Sequence, residues 1–178
     1  MARPGRVVLA GAITGLVLVA FGKSMQTGST PAAAVVPESI DIPSIEVEAD
    51  LMKLGLAKNG EVELPPYEKP KVAGWYTGSA VPGEKGASVI IGHVDTKTAP
   101  AVFYKLRQLR KGQTVKVERS DGKTVEFKVD KIEQVHKDRF PTKRVYVEDG
   151  LKLVTCGGKF DYATGEYMDN IIVYASKA

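Results

Sequence analysis

The sequence predicts a mainly β domain, an antiparallel barrel or sandwich that carries one or two short helices. Three observations predict it: apolar and polar residues alternate in several short segments, glycines and prolines separate these segments, and only one stretch has helical apolar spacing. A chain of 178 residues suits one compact domain, with room for an appendage. Hydrophobic residues form 43% and charged residues 26% of it, which excludes disorder of the whole chain.

Residues 1–23 predict a membrane anchor. Arg3 and Arg6 precede an apolar run from Val7 to Gly22, and Lys23 closes the run. Signal peptides and membrane anchors share this pattern, and the run of about 16 residues is slightly short for a membrane span. An uncleaved anchor is favoured over a cleaved signal peptide and over a buried core helix. Positive charge ahead of the run predicts a cytoplasmic N-terminus, hence a single-pass plasma-membrane protein with its domain on the extracellular face.

Residues 24–38 predict a flexible tether between this anchor and the folded domain. They are rich in Ser, Thr, Gly, Pro and Ala and show no hydrophobic periodicity. The domain is therefore expected over residues 39–178.

The domain begins with an alternating segment, residues 40–47, that contains Pro43. Proline cannot donate to a strand ladder, so we expect either an edge strand or two short pieces. The clearest hairpin follows later, where two alternating segments, 114–118 and 124–129, flank the turn residues 120–123.

Three further apolar segments predict strands at 88–91, 152–155 and 170–175. The best helix candidate is the segment 101–109, which places Val102, Leu106 and Leu109 on one face.

Charge and cysteine content exclude several classes of function. The formal charge is +4, but three of the excess positive charges lie in the predicted anchor, and the remainder holds 22 basic and 21 acidic residues. A basic surface for nucleic acid is therefore not expected. One cysteine allows no internal disulfide, and the Cys and His residues lack the spacing of a zinc site. No glycine motif matches a phosphate-binding loop, so neither a metal nor a cofactor is predicted.

Cys156 and His93 are the candidate catalytic residues. Each directly follows a short apolar strand and has a glycine neighbour, which leaves the side chain accessible at a strand end. If the two strands are neighbours, the thiol and the imidazole could act as nucleophile and general acid/base. The alternative is a cysteine that only fills a core. The second histidine, His136, lies in a charged stretch and is expected to be solvated.

At these residues the sequence resembles the sortases of Gram-positive bacteria, most closely the actinobacterial class F type. The resemblance covers roughly residues 40–175. It is carried by an ordered set of short matches, at residues 73–76, 82–86, 91–96, 101–106, 139–142, 153–158, 160–161 and 169–170.

The resemblance implies a membrane-anchored cysteine transpeptidase on an eight-stranded β-barrel. Such enzymes cleave a Leu-Pro-x-Thr-Gly-like sorting signal of secreted surface proteins between Thr and Gly. Cys156 would hold the acyl group as a thioester, and His93 would protonate the departing amine. The implied acceptor is an amine of a peptidoglycan precursor. Thr155, which precedes the nucleophile, would either line the peptide groove or serve only as a strand residue.

One position departs from the family pattern. Class F sequences carry an essential arginine in a Tyr-Arg-Asp-Asn context, and Met168 stands at that position here. A thioether neither donates a hydrogen bond nor carries charge, so it cannot support an oxyanion. The sequence therefore predicts either an attenuated enzyme or a sortase-like domain that binds sorting peptides. Another cation could also serve, and the candidates are Arg139, Arg144 and Lys159.

Overall fold

A computed structural model describes residues 34–178, so the predicted anchor and most of the predicted tether lie outside the described residues. Within residues 34–178, no helix has the length and apolar character needed to cross a bilayer. The described strands are β1 (Pro37–Ile42), β2 (Val47–Leu54), β3 (Ala73–Tyr76), β4 (Ala87–Ile91), β5 (Thr114–Arg119), β6 (Thr124–His136), β7 (Gly150–Asp161) and β8 (Glu166–Lys177). Helical structure in this part of the chain comprises α1 (Thr142–Tyr146) and 3-10 helices at Pro43–Ile45, Leu106–Gln108 and Lys137–Arg139.

The eight strands form a closed barrel in the order β1-β2-β3-β4-β7-β8-β6-β5, which β1 closes by pairing with β5. Two neighbouring pairs are parallel, β2 with β3 and β4 with β7, and the other pairs are antiparallel. The prediction of a mainly β fold with short helices is confirmed, and of the two architectures left open the chain adopts the barrel.

Pro43 divides the first alternating segment into two strands, which confirms the expectation of two short pieces rather than one edge strand. A 3-10 helix begins at Pro43, and Ile42 then pairs with Val47 across the turn. Glu46 closes the turn in the left-handed conformation, with φ 55°. β1 begins at Pro37, two residues before the expected domain boundary, because Pro37 already pairs with Arg119 of β5.

The segment 101–109 packs its apolar residues into the main core, but its helix is shorter than predicted. Only Leu106–Gln108 is helical, and its hydrogen bonds are of the 3-10 type. The N–H groups at the start of the segment instead bond outward, that of Val102 to the Pro70 carbonyl and that of Phe103 to the His93 carbonyl. The apolar face is nonetheless where the spacing predicted it, since Leu106 and Leu109 are buried in the main core.

A second apolar cluster lies on the outer side of the barrel. Ile91 of β4, Val154 of β7 and Ile172 of β8 belong to it, and Val145 of α1 covers them. β4 is consequently buried on both of its faces. This doubly covered wall is the one that holds the candidate site.

Candidate active site

His93 lies two residues beyond the end of β4, whereas Cys156 lies within the neighbouring strand β7. The prediction that Cys156 follows a strand end is wrong, because β7 pairs with β8 as far as Asp161. β4 and β7 run parallel, with Ile91 opposite Val154, and each candidate residue follows its strand partner by two positions. The pairing continues past β4, because the Gly92 N–H donates to the Val154 carbonyl at 3.1 Å. The parallel register thus puts His93 and Cys156 at corresponding positions of the two neighbouring chain segments.

The backbone at His93 is held by a close approach of the segment 101–109. The Phe103 N–H donates to the His93 carbonyl at 3.0 Å. A Cβ atom at Gly92 would lie 2.6 Å from the Val102 side chain, so only glycine permits this approach. The glycine beside His93 therefore has a packing reason.

The His93 ring is 7% exposed and has a defined hydrogen-bond partner. Its Nε2 lies 2.6 Å from the Pro65 carbonyl oxygen, which only accepts, so Nε2 donates. In the neutral ring this assigns the proton to Nε2 and leaves Nδ1 as the basic nitrogen. Tyr67 stacks on the ring with 4.2 Å between centroids and 17° between planes. The segment between β2 and β3 thus sets both the tautomer and the orientation.

The Cys156 thiol is half-buried, and several charges surround it. Burial raises the pKa of this thiol, the positive charge of Lys137 lowers it, and Glu166 and Asp95 raise it further. The thiol is therefore mostly protonated near neutral pH, since the ordinary value is already about 8.5. A reaction at this sulfur requires a base beside it or a cation that stabilises its thiolate.

Asp95 ties the loop after His93 to the β7–β8 hairpin. The Tyr167 hydroxyl of β8 donates to the Asp95 carboxylate, and this hydrogen bond raises the pKa of Tyr167 to about 12. The Tyr167 ring packs edge-on against Phe160 of β7 at 5.1 Å, and Phe160 in turn contacts Tyr162 at 5.1 Å. These contacts connect the loop after His93 to the part of the β7–β8 hairpin that follows Cys156.

A β-bulge follows directly after Cys156. The register of β7 against β8 shifts between Gly157 and Phe160, so β7 holds one extra residue there. Gly158 has φ +75°, and a Cβ atom on it would collide with the Asp169 carboxylate. The bulge requires this glycine.

Thr155 lies on the interior side of β7. It is 3% exposed and pairs with Ile171, which belongs to the main core, and its hydroxyl has no hydrogen-bond partner in the described structure. Strand alternation places Cys156 on the opposite, outer side. Of the two roles left open for Thr155, this placement favours the strand residue.

Met168 lies on β8, and its side chain is 40% exposed and outside both apolar clusters. Of the cations named from the sequence, Arg144 is engaged elsewhere, with 3.0 Å to the Glu133 carboxylate. Neither Arg139 nor Lys159 forms an ion pair within the part of the chain that the structure describes.

Sequence reasoning missed Lys137, whose positive charge lowers the pKa of the Cys156 thiol. It directly follows His136, which lies at the exposed end of β6 and bonds Asp138 at 2.5 Å. The alternating segment was expected to end at residue 129, whereas β6 extends to His136 because it pairs with β8 over its second half. Only that pairing shows where Lys137 lies.

No cluster of three or more His, Cys, Asp or Glu residues suited to a metal occurs within residues 34–178.

Comparison with known protein families gives one domain match, since a model described as "Sortase domain" matches residues 40–178. No curated protein sequence matches the chain significantly.

Several solved structures share the fold. Sortase A from Corynebacterium diphtheriae is 23% identical at a TM-score of 0.60, over 80% of this chain but only 60% of that one. Sortase C-1 from Actinomyces oris is 26% identical at a TM-score of 0.60, over 79% of this chain and 72% of that one. A Clostridium perfringens sortase D5 transpeptidase is 21% identical at a TM-score of 0.58, over 80% of this chain and 79% of that one. These are class A, C and D enzymes, so the class F assignment stays a prediction.

Proposed function

Because this chain belongs to the sortase family, we propose that it is a cysteine transpeptidase that cleaves a Leu-Pro-x-Thr-Gly-like sorting signal and transfers the acyl fragment to a cell-wall amine. One observation carries the proposal: the parallel register of β4 and β7 aligns His93 with the chain's single cysteine, Cys156. A lone thiol next to an oriented imidazole is the arrangement that nucleophilic acyl transfer needs.

In the first half-reaction, the sulfur of Cys156 attacks the threonine carbonyl carbon of the sorting signal. His93 accepts the thiol proton at Nδ1, the nitrogen that the Pro65 contact leaves unprotonated. The bond between the threonine carbonyl and the glycine nitrogen then breaks, and the same proton passes to the departing amine. The product is a thioester on Cys156.

In the second half-reaction, an incoming amine attacks the thioester carbonyl. His93 takes a proton from this amine and returns it to the sulfur, which leaves as a thiol. A new amide bond has then replaced the thioester, and the enzyme is regenerated without net consumption of protons.

The proposed location follows from the charge pattern of the N-terminus. Arg3 and Arg6 before the apolar run favour a cytoplasmic N-terminus, which puts the domain on the extracellular face of the plasma membrane. Protease added to intact cells freed of their wall should then remove the domain. Protection of the domain until the membrane is dissolved would contradict this location.

A second function, a binding domain without efficient chemistry, has one observation in its favour. Met168 occupies the place of the expected arginine and offers no hydrogen-bond donor. The loss of one donor to an oxyanion typically costs about 10²–10³ in rate. Such a domain would still bind a sorting peptide.

Mass spectrometry separates the two functions. The purified protein is incubated with a Leu-Pro-x-Thr-Gly peptide, with and without triglycine as the amine acceptor. A transpeptidase gains the mass of the acyl fragment on Cys156 and, with triglycine, releases the ligated product. Cys156→Ala should show neither while remaining folded. Cleavage by Cys156→Ala would overturn the mechanism, and peptide binding without an adduct on the native protein would establish the binding domain instead.

A further inference from the structure

The outer side of the barrel carries an ammonium group close to the position that Met168 occupies. Across β6 and β8, His136 is opposite Asp169, and Lys137 is the next residue of the chain. β6 ends at His136, and Lys137 begins a 3-10 helix just beyond this strand end. On β8, the residue that follows the last pair in the same direction is Met168.

An ion pair fixes where this ammonium lies. Lys137 Nζ is 2.9 Å from the Glu166 carboxylate. Glu166 and Met168 are two residues apart on β8, so their side chains share one face of the strand. The ammonium consequently lies along the same face as Met168.

Cys156 shares that face as well. It is paired with Asn170 of β8, which is two residues from Met168. Residues directly opposite in neighbouring strands project to the same side, and strands lie roughly 4.8 Å apart. The lysine ammonium at Glu166 and the sulfur of Cys156 therefore lie on the same outer side of the sheet, and its positive charge lowers the pKa of the thiol.

We propose that Lys137 is the cationic group of this active site, where it stabilises the thiolate of Cys156 and the negative charge that develops on the substrate carbonyl oxygen. Only the role at the substrate carbonyl oxygen rests on the proposed function, because the thiolate of Cys156 forms without substrate. Glu166 holds the lysine in place and moderates its charge. A lysine offers a point charge in place of the planar, two-pronged donor set of an arginine.

The electrostatics of the site can be tested without a sorting peptide. Iodoacetamide alkylates the thiolate alone, so its rate against pH reports the apparent pKa of Cys156. The groups around the sulfur that can contribute are His93, Asp95, Lys137, Glu166 and Tyr167. Lys137→Ala should raise the apparent pKa of Cys156 by about half a unit and slow alkylation at pH 7.5 about threefold.

Matched variants should shift the apparent pKa of Cys156 in opposite directions or leave it unchanged. Glu166→Gln removes a negative charge and releases the lysine, so it should shift the apparent pKa of Cys156 downward. Lys137→Arg should keep the native profile. Lys143→Ala removes an exposed lysine of α1 that forms no ion pair in the described structure and should change nothing.

Salt distinguishes an electrostatic role from a structural one. In about 1 M NaCl the Debye length falls to about 3 Å, so the native protein and Lys137→Ala should converge. An unchanged profile in Lys137→Ala would overturn the proposal. A shift that persists in high salt together with a lowered melting temperature would overturn it too, because the lysine would then act only on the fold.

The peptide reaction tests the role at the substrate carbonyl oxygen. Lys137→Ala should lower kcat/KM for transpeptidation about tenfold, while Lys143→Ala keeps the native value. If the native protein alkylates with the expected shifts but never cleaves the peptide, the proposed function fails and the role of Lys137 at the thiolate stands. If the peptide is cleaved equally fast by Lys137→Ala, the role of the lysine fails and the function stands.

Discussion

Two walls of the barrel are buried in different ways. In the β5–β6 hairpin the inward side chains are buried and the outward ones are mostly exposed. In β4 every residue is buried, and β7 is buried without interruption from Leu151 to Thr155. Even Lys152, on the outer side of β7, is enclosed, where burial lowers its pKa and its ammonium donates to the Asp149 carbonyl at 2.5 Å. One wall therefore faces solvent, and the other is clamped between two apolar layers.

The difference indicates why the candidate site lies where it does. A strand that packs on both faces has little freedom to shift, because interiors are as dense as crystals of small molecules. His93 follows β4 and Cys156 lies within β7, each two residues beyond the buried pair of Ile91 and Val154 in the clamped wall. The second histidine, His136, is instead exposed at the end of β6.

The largest expected effect concerns the two histidines at the two walls. His93→Gln keeps a donor for the Pro65 carbonyl but no base, so acyl transfer to Cys156 should slow by about 10²–10⁴. His136→Gln, at the exposed strand end, should leave the rate within about twofold. Rapid-quench mass spectrometry of the acyl adduct measures both. Equal losses in the two variants would contradict the assignment of the base.

The next effect compares the outward faces directly. Ile172→Ala opens a cavity in the outer cluster and should lower the free energy of unfolding by about 2–4 kcal/mol. Glu126→Ala alters an exposed side chain on the outward face of β6 and should cost less than about 0.5 kcal/mol. Urea denaturation measures both. A small loss for Ile172→Ala would mean that the outer layer does not clamp β8.

The smallest effect concerns the rim beside the clamped wall. Met168→Arg supplies a donor that the thioether lacks and should raise transpeptidation about tenfold, with a larger relative gain in the Lys137→Ala background. The peptide assay on the two single variants and the double variant measures this coupling. Identical gains in both backgrounds would mean that the arginine and the lysine act independently.

Local patterning predicted much of the fold. Alternation identified the hairpin, and Pro43 identified the break between β1 and β2, because both follow from the period of a strand and from a missing N–H. The predicted helix at 101–109 is longer than the observed one, because the N–H groups of Val102 and Phe103 bond to the carbonyls of Pro70 and His93, which lie outside the segment. Helical spacing reports only that one face is apolar.

Local sequence patterns predicted the class of fold and, through the neighbours of Cys156 and His93, the two residues most suited to chemistry. Only the folded structure shows that they lie on adjacent parallel chain segments, that Thr155 points into the core, and that Lys137 forms an ion pair with Glu166. The physical reason is register. Side-chain alternation is a local property of each strand, whereas the partner of a residue across the sheet depends on which strands pair and at which step, and that choice is made by the packing of the whole barrel.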